Sequence, residues 1–112
     1  MIDRFQRIVT WDATSFVLRC WGDEDRATQG RRRGAISRAL KASADVVVDL
    51  GGLDFADPSL MVDLAMLARR LRRRGAELWL RGAQPQITRL IELVGLHRLD
   101  GVRLDGGAAL AA

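Results

Sequence analysis

The sequence predicts a single α/β domain built on a mixed β-sheet of four to five strands. Three observations point to it. Strand-like and helix-like runs alternate after an opening hairpin, one run (Val46–Leu50) is almost wholly apolar, and no stretch has the composition of a linker to a second domain. A chain of about 110 residues buries roughly two thirds of its unfolded surface, so its 112 residues can hold one core without a staple. With 48% hydrophobic and 29% charged residues, disorder is excluded for most of the length. The expected core runs from about residue 5 to 104, and residues 105–112, with Leu110 as their sole large apolar side chain, are expected to fray.

Phe5–Trp11 and Ser15–Trp21 read as antiparallel strands joined by the polar turn "DATS". In the second, Phe16, Leu18 and Cys20 share one face, Val17, Arg19 and Trp21 share the other, and "GDED" is expected to break the strand. Asp25 to about Ala42 reads as a helix with a thin stripe of Ala27, Ala35, Ala39 and Leu40, weakened by Gly30 and Gly34. Val46–Leu50 is expected at the middle of the sheet, with both faces covered or central in the strand order.

The next helix begins near Pro58. Leu60, Leu64, Leu67, Ala68 and Leu71 recur at spacings of three and four, while Val62 and Met66 fall on the opposite side beside Arg69, Arg70 and Arg73. Gly75 closes it in the manner of a left-handed C-terminal residue, and "AELWLRG" follows as a strand. A third helix has Pro85 in its first turn, a stripe of Ile87, Leu90, Ile91 and Val94, and Gly95 as its stop. A short strand is expected around Val102–Leu104, and right-handed crossovers join the parallel strands.

The chemistry legible in these residues is sparse. His97 and Cys20 are the single histidine and the single cysteine, so no metal-ligand cluster of those types and no disulfide framework can form. Neither a P-loop nor a dinucleotide fingerprint is present, and Ser59 does not stand in a G-x-S-x-G elbow, so no catalytic residue and no cofactor is expected. The net charge of +4 comes largely from arginine clusters at Arg31–Arg33 and "RRLRRRG", which suit wet surfaces and helix C-termini; they lack interleaved aromatics, so direct nucleic-acid binding is not expected. There is no signal-peptide pattern and no apolar run near the roughly 18 residues of a membrane span, so a cytoplasmic protein without a span is expected.

One place invites a functional reading. With Asp57 as N-cap and Pro58 as the first helical residue, Ser59 falls in the first turn, where free amides and the positive dipole end favour a phosphate. Phosphorylation there would add about 1.5 to 2 negative charges without opposing the helix.

The stretch "VVVDLGGLDFADPSLMVDLAMLARRLRRRGAELWLRGAQPQITRLIELVGLHRL", with "CWGDED" upstream, resembles the STAS domain of bacterial anti-sigma-factor antagonists. The likeness spans about Phe16 to Leu104 and implies a single STAS-like domain, its mixed sheet of four to five strands carrying helices mainly on one face. It places the family's phosphoacceptor serine on Ser59, its helix-capping aspartate on Asp57, and the aspartate after its second strand on Asp25. Pro58 stands where the family has a first serine, and Leu60 where it has a glycine. The resemblance implies a non-enzymatic partner switch: the unmodified protein binds an anti-sigma-factor serine kinase, phosphorylation of Ser59 releases it, and a serine phosphatase resets it. Pro58, Leu60, Val62 and Met66 are then the expected partner interface. The alternative is an unregulated STAS subunit serving as a structural module in a signalling or transport complex.

Overall fold

The computed structural model describes residues 9–24 and 29–105. Five strands form one sheet in the order β1-β2-β3-β4-β5: β1 (Val9–Asp12), β2 (Val17–Glu24), β3 (Val46–Ala56), β4 (Leu78–Arg81) and β5 (Val102–Asp105). β1 and β2 pair antiparallel, and every later neighbour is parallel. The helices α1 (Gln29–Ala39), α2 (Pro58–Arg72) and α3 (Pro85–Val94) make the connections that parallel strands require, and a 3₁₀ turn (Leu96–Arg98) leads into β5. Of the first expected strand, residues 5–8 lie outside the described residues, as do 25–28 at the start of the first expected helix and residues 106–112 of the expected tail.

The hairpin turn closes on Asp12, whose Oδ1 accepts the amides of Thr14 (2.9 Å) and Ser15 (3.3 Å). The Ser15 side chain above all, with those two amides, holds the Asp12 carboxyl below its usual value. A lowered carboxyl contributes stability above its unfolded pKa, and that contribution is lost as pH falls through the folded one.

Up to Leu50 the strands present two distinct faces. Val9, Leu18, Cys20, Val46, Val48, Leu50, Leu78 and Leu80 join one continuous core with the apolar sides of all three helices. The opposite sheet face carries no helix among the described residues. In-register Arg19, Asp49 and Arg81 line it, with the Asp49 carboxylate 3.6 Å from each guanidinium. β3 is thus central in strand order but covered on one face alone. Val47, within its valine run, stands in register between Val17 and Trp79 on the open side.

Two boundaries differ from expectation for one reason. β2 does not break at Gly22 but runs to Glu24, and β3 continues past Leu50 through Gly51 and Gly52 to Ala56. The pair shifts register at two places between Arg19 and Asp23, bulges that let both strands go on. Gly52 allows the shift, since a Cβ there would lie 2.9 Å from the Cβ of Trp21. Gly52→Ala is therefore expected to lower stability by ~1–3 kcal/mol in denaturant melts. Gly51→Ala should cost less, because its nearest obstacle at 3.3 Å is the movable Asp49 carboxylate.

Several arginines bond within the domain. Arg74 Nη1 donates to the carbonyls of Leu40 and, at 3.0 Å, Ala42, tying the ends of α1 and α2 together. Arg72 lies 3.3 Å from Asp100, and Arg103 lies 2.9 Å from Glu77. No helix among the described residues is long and apolar enough to cross a membrane.

Candidate functional site

α2 starts as the sequence dictates. Asp57 takes the extended N-cap conformation, its Oδ1 accepts the Ser59 amide at 2.8 Å, and Pro58 opens the helix where no donor is needed. Replacing Asp57 by alanine is expected to cost ~1 kcal/mol, whereas asparagine caps about equally well. Equal denaturant midpoints for Asp57→Ala and Asp57→Asn would contradict that cap.

Ser59 follows, half-buried, with its Oγ accepting a 2.7 Å hydrogen bond from Arg32 Nη2. Arg32 comes from α1, and its side chain is fully buried (0% exposed). Its Nε donates to Asp63 Oδ2, also at 2.7 Å, while Asp63 keeps 22% of its side-chain surface. Ser59 and Asp63 stand four residues apart on one face of α2, so the guanidinium bridges successive turns. Arg32 and Asp63 are the site residues that the sequence reading missed. Arg32 was counted with a solvated cluster, yet it shares the buried stripe of α1 with Ala35, Ile36 and Ala39 at spacings of three, four and seven.

The outer surface of α2 is apolar beside this site. Pro58 is exposed, Val62 retains 66% of its surface and Met66 37%. Pro58, Met61, Val62 and Ala65 line a shallow groove of about 140 Å³, closed on its far side by Val94, Leu96 and Leu99. Val94 was expected in the core stripe of α3; it is exposed instead, because the helix buries Ile87 and Ile91 and turns Val94 toward this groove.

Leu60 requires a correction. It was expected at the partner interface, but it is completely buried in the core with Leu64, Leu67 and Leu71, the stripe its own spacing describes. A partner cannot touch it without unfolding the helix. Asp25 lies outside the described residues.

Among the described residues, no acid–base or nucleophilic constellation accompanies Ser59. Its side chain bonds to Arg32 rather than to a histidine, and among the described residues no group of three or more His, Cys, Asp or Glu could hold a metal. The site is thus a serine fixed on a helix start, bonded to a buried cation and bordered by exposed apolar residues. The family model for Mlab, STAS domain, matches residues 9–104, and the chain therefore belongs to the STAS-domain family. Among solved structures, an anti-sigma-factor antagonist (STAS) domain protein from Planctomyces limnophilus is similar over 92% of this chain and 94% of that one, with a TM-score of 0.72 and 17% identity. That likeness carries the fold alone. No curated protein sequence matches significantly.

Proposed function

We propose that this STAS domain is an anti-sigma-factor antagonist that binds an anti-sigma-factor serine kinase in the bacterial cytoplasm and is released when the kinase phosphorylates Ser59. The carrying observation is the half-buried Ser59 on the first turn of α2, beside the exposed apolar residues Pro58, Val62 and Met66. The domain itself performs no catalysis. In the transfer, Ser59 Oγ attacks the γ-phosphorus of the kinase's nucleoside triphosphate. The new Oγ–P bond forms as the bond to the β–γ bridging oxygen breaks, the diphosphate leaves with the electron pair, and the hydroxyl proton passes to a base of the kinase. A serine phosphatase restores the hydroxyl by delivering water to the phosphorus and releasing inorganic phosphate.

One observation favours a second reading, an unregulated STAS subunit in a larger complex: Ser59 Oγ already has an internal partner in Arg32, which a purely structural serine would share. Intact mass and peptide mapping of the protein from its native cells separate the two. Phosphate on Ser59 is expected, and its absence both at rest and under stress would overturn the switch.

The apolar border is expected to anchor the partner. Val62→Ser and Met66→Gln should each weaken kinase binding by ~1–2 kcal/mol, the effect of losing a modest interface anchor. Both residues are exposed, so melting temperatures should hardly move; a strong drop in either would make them core residues and displace the interface.

A further inference from the structure

We propose that Arg32 is a positioning residue that exchanges partners when Ser59 is phosphorylated, giving up Asp63 for the phosphate and so coupling the modification to the α1–α2 contact. The proposal rests on the reading of Ser59 as the modified residue. Its basis is geometric. Nε and Nη2 of Arg32 form one edge of the guanidinium fork, and the unmodified protein divides that edge between two acceptors, Asp63 Oδ2 and Ser59 Oγ, each at 2.7 Å. A phosphate ester on Oγ brings three acceptor oxygens and about 1.5 to 2 negative charges to the acceptor side of the same fork. Bidentate pairing with a phosphate matches the fork's geometry, and the buried Arg32 side chain has little room to go elsewhere.

Asp63 is the partner able to yield. Its side chain is 22% exposed against 0% for Arg32, so its carboxylate can turn into water, and the phosphate four residues away repels it. Phosphorylation then changes α2 at two successive turns: a phosphate at Ser59 and an outward carboxylate at Asp63. Release of a partner would follow from both charges rather than from one.

The test needs no kinase. Phosphoserine is installed at position 59 by reprogrammed translation, and the Arg32 Nε–H resonance is compared with that of the unmodified protein by ¹⁵N NMR, while ³¹P NMR follows the phosphate titration. The Nε–H resonance is expected to shift on phosphorylation and to become insensitive to Asp63→Asn, which perturbs it in the unmodified protein. The phosphate should titrate about one pH unit below the ordinary value near 6, because a paired cation favours the dianion. Arg32→Lys, which keeps the charge and loses the fork, should return about half of that shift. An unmoved Nε–H resonance overturns the exchange and needs no variant to fold. So does a titration midpoint that is the same with arginine and lysine at position 32. Failure to find phosphate on Ser59 in native cells counts against the proposed function, whereas an unmoved Arg32 signal counts against the exchange alone.

Discussion

Ser59→Asp is expected to bind the kinase about tenfold or more weakly than Ser59→Ala in a calorimetric titration, a difference of ~1.4 kcal/mol or above. The carboxylate places a permanent charge on the turn that the partner covers, although one carboxylate imitates a phosphate only in part. Alanine leaves that surface neutral and cannot be phosphorylated, so the variant should bind and resist release. Its stability is a separate matter. Removing Oγ takes one hydrogen bond from the buried, charged Arg32 side chain, a loss of ~1–3 kcal/mol. The binding comparison therefore belongs at a temperature where both variants are fully folded. Equal affinity of wild type, Ser59→Ala and Ser59→Asp would remove Ser59 from the partner's footprint.

The periodic parts of the fold were legible because period is what burial selects. The stripe Leu60, Leu64, Leu67, Ala68 and Leu71 is buried as its spacing requires, and the glycine stops of α2 and α3 take positive φ values of 78° at Gly75 and 77° at Gly95. Strand ends were less legible. The strand was expected to end at Leu50, before Gly51 and Gly52, but a glycine also lets two strands approach, and only the position of Trp21 shows that role. The site was half legible. Asp57, Pro58 and Ser59 follow local capping rules that need no tertiary contact. Arg32 and Asp63 meet across 31 residues of chain, and no local rule pairs one arginine of three with one aspartate. Leu60 carried two expectations at once, core by spacing and interface by its place in the motif, and burial decided for the first.

Arg32→Met is expected to be the most damaging single change at this site. Breaking a buried ion pair from one side costs ~3–5 kcal/mol when the remaining charge cannot be rehydrated. Here the survivor, Asp63, can partly reach water, so the lower end applies, near ~3 kcal/mol, or roughly 12–24 °C in melting temperature for a domain of this size. Asp63→Leu alone should also be costly, since it takes a carboxylate partner at 2.7 Å from the fully buried guanidinium. The double change Arg32→Met with Asp63→Leu leaves neither charge behind and fills the space with apolar atoms, so it should recover most of the loss. The double-mutant cycle is then strongly non-additive, with a coupling of ~2 kcal/mol or more between residues in direct contact. Additive losses in denaturant melts would mean that Arg32 and Asp63 act independently. A cost for Arg32→Met below ~0.5 kcal/mol, the range of ordinary surface substitutions, would return Arg32 to the solvated cluster in which its sequence neighbours place it.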